Sequence, residues 1–259
     1  MHLFQKRELI GMNINFFLYR RFCHWITCQL KLSSNSIVTL KNKYEIASFQ
    51  DVFCHPFYWQ VFNWVDNPPK LVVDCGAHCG HFSILADLCF QSKFEDINTE
   101  YILVEPNPYL MPIINKNLTE AKLAKRSRLI QGLLGSDKDT GVLWIPSKNF
   151  LQSSTKEIKG AKPHKINYVD LAKIVGNRSI DLLKIDIEGG EFDLIESHLS
   201  LFDRANLVFI EMHNAPEHIH QKFFAALNSV SLSLATKPLV ANGQQLMIFQ
   251  KQPACILTA

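Results

Sequence analysis

The chain has 259 residues, 47 % of them hydrophobic, with a formal charge of +3 and seven cysteines. That length and apolar content suit one α/β domain with an N-terminal extension and argue against two full domains. The charge is spread without long single-sign blocks, so nucleic acid is not expected as a partner.

The cysteines sit in or beside expected core elements and are odd in number, which points to free thiols in a reducing, cytoplasmic setting. Phe16 to Leu30 is apolar after a basic start, but Arg20 and Arg21 cut it far below the ~18 uninterrupted residues of a membrane span. Its aromatics beside those arginines leave two readings, an interfacial amphipathic helix or, preferred, a helix covering a sheet edge. Cys255 is fifth from the end, out of place for a prenylation box.

Pro68-Pro69 marks a boundary between an extension over 1–69 and a domain over 70–259. From there the pattern alternates strand and helix. Strands are expected at Leu71–Asp74, Tyr101–Glu105, Arg128–Leu134, Ile180–Asp186 and Asn206–Glu211, with helices at Phe82–Phe90, Leu110–Lys122 and Glu217–Asn228. Such alternation implies a mostly parallel, doubly wound sheet. Ser231–Ala235 and Gln245–Gln250, around a glycine turn, read as a hairpin that closes the sheet with an antiparallel strand. Methyltransferases using S-adenosylmethionine end their sheets this way, whereas nicotinamide-binding domains usually run parallel throughout. The insertion over 135–179 holds strand-like pieces at Val142–Ile145 and His164–Val169 and reads as a lid or binding loop. Its Lys156, Lys159, Lys162, His164 and Lys165 read as a solvated run, with an acidic substrate as the sharper alternative.

Val72 to Ser83 is an apolar strand feeding a glycine loop that opens a helix. Gly76 permits a sharp turn and a close ligand approach, and Gly80 lets the helix start pack on the strand. The G-x-x-x-G spacing, with Asp74 before it, differs from the G-x-G-x-x-G of dinucleotide sites and suits a ligand carrying ammonium and sulfonium charge. Glu105, at the tip of the second strand before Pro106-Asn107-Pro108, is placed to accept ribose hydroxyl protons. Cys75, His78, Cys79 and His81 are too crowded along the chain to surround one tetrahedral ion.

The segment Asp181 to Glu191, D-L-L-K-I-D-I-E-G-G-E, is a buried strand that ends in Asp186 and Glu188, where parallel sheets place their ligands. The D-C-G-A-H-C-G loop, the E-P-N-P tetrapeptide, this segment and Ile210-Glu211-Met212-His213 together resemble the FkbM family of S-adenosylmethionine-dependent methyltransferases, over residues 45–250. The resemblance implies a class I, Rossmann-like fold and methyl transfer to a hydroxyl oxygen of a sugar or natural product. It places the cofactor on Asp74, Gly76, Ala77, Gly80, Glu105 and Asn107. Asp186 and His213 are the catalytic candidates, with Glu188 in support. Asp186, Glu188, Glu211 and His213 leave two chemistries open, a divalent ion held by oxygen ligands or a metal-free general base. Metal-free is preferred, because no second ligand motif appears. Glu191 reads as an acid of the following helix's first turn.

The aromatics before Pro68 suit either a sheet cover or stacking on an acceptor. Ile46 to Trp64 is expected to pack on the domain and line the acceptor pocket, with Met1 to Ser33 more peripheral. Two rival functions remain, a cofactor-binding scaffold without turnover and a nicotinamide oxidoreductase.

Overall fold

The computed structural model describes residues 27–253 apart from 34–35, 137, 148, 150–151 and 242–243. Phe16, Phe17, Arg20, Arg21, Phe22, Trp25 and Cys255 lie outside the described residues, and with them the interfacial-helix and prenylation readings.

A small antiparallel pair, β1 (Cys28–Lys31) and β2 (Ile37–Leu40), leads into α1 (Lys43–Phe53). Asn42 caps α1 by accepting the backbone N–H groups of Tyr44 and Glu45. Pro56, at the first position of α2 (Pro56–Gln60), starts a second helix without losing a needed donor. Val38, Leu40, Ile46, Phe49, Phe57 and Phe62 are buried in one apolar cluster with Val72, Phe82 and Leu182. Each such side chain contributes about 1.5–3 kcal/mol on burial. Residues 37–65 therefore share the core of the sheet that follows.

That sheet starts with β3 (Leu71–Cys75), buried along its length, and continues through α3 (His81–Lys93), β4 (Glu100–Glu105), α4 (Met111–Glu120) and β5 (Ser127–Gln131). The insertion follows as β6 (Thr140–Pro146) and β7 (Ala161–Asn167), and after it come α5 (Leu171–Val175), β8 (Leu182–Ile185), α6 (Glu191–Ser197), α7 (Leu199–Asp203) and β9 (Leu207–Met212). The described chain closes with α8 (Glu217–Ser229), β10 (Leu232–Leu234), β11 (Leu239–Ala241) and β12 (Gln244–Lys251). Strand order is β10-β12-β9-β8-β3-β4-β5; β3, β4, β5, β8 and β9 pair in parallel, and β12 runs antiparallel to β9. Successive residues of a strand face opposite sides, so Val72 joins one apolar layer while Leu71, Val73 and Cys75 join the other. The result is a three-layer, Rossmann-like fold.

Two expectations change in detail. The strand directly before β12 in the chain is β11, not β10, and the two short strands share one edge of β12: β10 pairs with its Phe249–Lys251 end and β11 with its Gln244–Leu246 end. The third strand ends at Gln131 rather than Leu134, since Leu133 has already left the sheet to bridge Tyr168. The strands expected in the insertion are present and pair with each other, apart from the central sheet, with Trp144 of β6 also bridging Ser154.

Candidate functional site

Parallel strands leave a crevice at their carboxyl ends, and two cavities occupy it here. The first encloses about 110 Å3. Its wall combines Gly76, His78 and Glu105 with Leu133, Leu134 and Leu143, and Ser153, Ser154 and Thr155 of the insertion close one side. The second, about 330 Å3, is bounded by Ser48, Asp51, His55 and Tyr58 of the N-terminal segment and by Lys184, Glu211, Gln244 and Leu246 of the sheet. Gly76, His78, Asp186 and Glu188 border both.

Gly76 has φ +75°, and a Cβ there would lie 1.7 Å from the carbonyl oxygen of Asp186, so no other residue fits between the two strand ends. Glu105 is 4 % exposed; it accepts the His78 N–H at 2.8 Å and the Asn107 N–H at 3.0 Å. Burial raises its pKa to about 7, against the pull of those two hydrogen bonds. Each oxygen keeps a lone pair, so the carboxylate can take two more donors. Glu105 and the glycine cradle thus fit a ribose and the chain that follows it, with the leucines available to a base.

Asp74 is fully buried, accepts the Ser83 hydroxyl at 2.8 Å and sits 3.3 Å from the Lys184 ammonium; it lines neither cavity. Gly80, in a left-handed conformation, starts α3 behind the loop, and Asn107 is buried beside Glu105, its Oδ1 accepting the Tyr109 N–H. Ala77 lines the second cavity. The motif members thus separate into those that face ligand space and those that brace the loop.

Lys184 is 4 % exposed; it donates to the Gly76 carbonyl at 2.6 Å and lies 3.6 Å from Asp186. Burial disfavours its charge, but Asp74 and then Asp186 outweigh that and hold its pKa up. Asp186 is raised chiefly by burial, with Glu188 adding to the rise and Lys184 opposing it. Glu211 is raised to about 7 by burial and then by the neighbouring Asp186, while the Tyr58 hydroxyl donates to it at 3.2 Å. Burial and repulsion between carboxylates thus raise both acids, Asp186 and Glu211, above the ordinary carboxylate range.

His213 is held differently. Its Nδ1 is 3.1 Å from Glu191, its Nε2 3.5 Å from Glu188, and Gln244 approaches Nε2 at 3.0 Å. Burial opposes its charge, yet hydrogen bonds to Glu188 and Glu191 lift its pKa to about 10, so it is an imidazolium at neutral pH and cannot accept a proton. Glu191 sits in the first turn of α6 and is wholly buried; it accepts the Gly189 N–H as well as the His213 contacts. Asp186, Glu211 and His213 offer one ligand atom each within 4.8 Å, the one such group among the described residues. Cys75 and Cys79 are buried thiols, the latter with its pKa pushed to about 12 by burial. Ser48 and Tyr58 lie in the segment from Ile46 to Trp64 that was expected to line a pocket, whereas Lys184 was missed as a site residue because it sits inside an apolar strand run that spoke only of packing.

No curated protein matches the chain in sequence. Among solved structures, the ribosomal protein L11 methylase of Lactobacillus delbrueckii subsp. bulgaricus is 12 % identical with a TM-score of 0.48, over 86 % of this chain and 99 % of that one. The precorrin-6y C5,15-methyltransferase of Geobacter metallireducens GS-15 is 12 % identical with a TM-score of 0.46, over 75 % and 88 %. The sequence model of the methyltransferase FkbM domain matches residues 74–231. With that match over more than half of its length, the chain belongs to the FkbM family of S-adenosylmethionine-dependent methyltransferases.

Proposed function

We propose that the protein transfers a methyl group to a hydroxyl oxygen of a sugar or natural-product acceptor, with cofactor in the first cavity and acceptor in the second. The observation that carries this is the shared wall of Gly76, His78, Asp186 and Glu188, across which two ligands would meet. When bound, S-adenosylmethionine supplies the methyl group and a sulfonium leaving group. Glu105 would hold the ribose hydroxyls, the Gly76 to His78 backbone the chain beyond, and Glu188 the ammonium end. Asp186, sharing a proton with Glu211, takes the proton of the attacking hydroxyl, while Lys184 fixes Asp186 and the Gly76 carbonyl. Charged His213 clamps Glu188 to Glu191 and so sets the border between the cavities. Asp74 and Gly80 brace the loop.

The reading is metal-free, because both ring nitrogens of His213 are already engaged, Nδ1 by Glu191 and Nε2 by Glu188 and Gln244. The terminal antiparallel strand speaks against the oxidoreductase reading. Free thiols at Cys54, Cys75, Cys79 and Cys89 support a cytoplasmic setting, and among the described residues no helix is long and apolar enough to cross a membrane.

The test is calorimetric titration with S-adenosylmethionine, followed by incubation with hydroxyl acceptors and measurement of S-adenosylhomocysteine. Binding with release of S-adenosylhomocysteine in step with O-methylated product supports the proposal. Binding without release from any acceptor identifies a scaffold instead.

A further inference from the structure

β9 and β12 run antiparallel with Leu246 opposite Glu211, and side chains alternate between the faces of a sheet, so Gln244, Leu246, Glu211 and His213 share one face. Gln244 and Glu211 line the second cavity there. Gln244 is two residues from the partner of Glu211, and such diagonal neighbours stand about 7–8 Å apart, a gap that one small polyol can span. Among the described residues the Gln244 side chain makes one hydrogen bond, a 3.0 Å approach to His213 Nε2. The direction of that bond follows from what surrounds the ring. His213 Nδ1 lies 3.1 Å from Glu191, which already accepts the backbone N–H groups of Gly189 and His213, and Nε2 lies 3.5 Å from Glu188, whose bond to His213 holds its carboxyl below the ordinary range. Carboxylates bring lone pairs and no proton, so both ring nitrogens carry hydrogen. An amide NH2 set against Nε2–H would oppose donor to donor. The hydrogen-bond network therefore turns the Gln244 carbonyl oxygen toward Nε2 and its NH2 to the other side.

With one arm of the amide spent on His213, the other is left for the cavity that Gln244 lines. We infer that Gln244 is an acceptor-recognition residue: its amide N–H donates to a second oxygen of the acceptor while the Asp186 and Glu211 side takes the proton of the first. The site then selects a molecule with two oxygens close together over a lone alcohol. This rests on the methyl-transfer reading of the same cavity. A donor of this kind discriminates because an acceptor without the second oxygen leaves it unpaired. His213 acts on the acceptor at one remove, as a positioning residue that fixes which end of the amide the acceptor meets.

The full chain is incubated with S-adenosylmethionine tritiated in its methyl group and a dilution series of deproteinised cell extract, and the extract concentration giving half of the maximal labelling rate is measured. Gln244→Glu keeps an oxygen facing His213 but removes the donor, and Gln244→Leu removes both. Half-saturation should rise about tenfold or more in both variants, the cost of leaving a bonding group unmatched, while S-adenosylhomocysteine affinity by calorimetry stays within a few-fold of the parent. If Gln244→Glu matches the parent and only Gln244→Leu is impaired, the residue serves the His213 clamp alone and the proposal is overturned. Unchanged half-saturation in both variants, or loss of S-adenosylhomocysteine binding in both, overturns it as well. A measurement on the parent needs no variant to fold: nitrogen–proton correlation spectra of the imidazole rings should show both His213 nitrogens protonated at neutral pH. A bare Nε2 would turn the amide round and overturn the proposal. If the parent binds S-adenosylmethionine yet labels nothing in the extract, the methyl-transfer reading fails and the proposal with it.

Discussion

Glu105 and Glu211 stand at the tips of two strands of one sheet, and both have pKa values raised to about 7, yet for different reasons. Glu105 is raised chiefly by burial, with buried Asp74 adding a little, against two backbone N–H donors, which fix its carboxylate before any ligand arrives. Glu211 is raised by burial and by a second carboxylate beside it, Asp186, with one tyrosine hydroxyl in partial compensation. Further hydroxyl donors on Glu105 would favour its charged form and settle it as an anion. Lys184 and His213 pull the other way on Asp186 and Glu211, yet both acids stay raised. Under the proposed function, a similar pKa then serves a binding group on one side of the crevice and a proton-transfer group on the other.

The sharpest way to break this contrast is Asp186→Asn. Turnover should fall at least ~100-fold while cofactor affinity stays nearly intact, as for loss of a base. Calorimetry with S-adenosylhomocysteine beside a steady-state assay separates the two, and turnover within a few-fold of the parent would make Asp186 structural. Glu105→Ala should do the reverse, weakening cofactor binding by about 1–3 kcal/mol because the ribose hydroxyls lose a charged acceptor at a buried edge. Unchanged affinity in a titration would remove Glu105 from the cofactor site.

The pH profile sharpens the comparison further. A carboxylate with a raised pKa is protonated, and useless as a base, below that value. Activity should therefore fall as pH drops through about 7, with the limb displaced in Glu211→Gln. A flat profile between pH 5 and 8 would refute the proton-sharing pair. Tyr58→Phe should give the smallest effect. Its hydroxyl lowers the Glu211 pKa, so removing it moves the acid limb upward and costs a few-fold at pH 7 but little at pH 9. Chelator should leave the parent's activity unchanged, and loss restored by magnesium would install a cation among Asp186, Glu211 and His213.

The order of strands was legible because each apolar run carries its own punctuation: glycines after β3, prolines after β4, acids after β8. Glu105 and Asp186 were legible for the same reason, as acids at the exits of apolar strands. The division of labour among the motif residues was not. Asp74 and Glu105 look alike in sequence, yet a lysine 110 positions after Asp74 draws that carboxylate into the core, and no local pattern announces such a pairing. The N-terminal aromatics mostly went to packing, with Phe49 stacked on Phe53 and Phe57 against Phe209. The pocket took the polar residues between them, Ser48, Asp51 and His55, whose spacing on two short helices gave no signal of its own.

The position of β12 has a consequence for synthesis. Although it follows every other strand in the described chain, it lies inside the sheet between β9 and β10, and it brings Gln244 to His213 and Leu246 to the second cavity. On a ribosome that has not yet released residues 244–251, β9 has nothing on its outer side and presents an unpaired apolar edge, ready to template another chain. The last strand to emerge therefore both caps that edge and completes the pocket, so a chain truncated before it would be exposed to aggregation and inactive for a single structural reason.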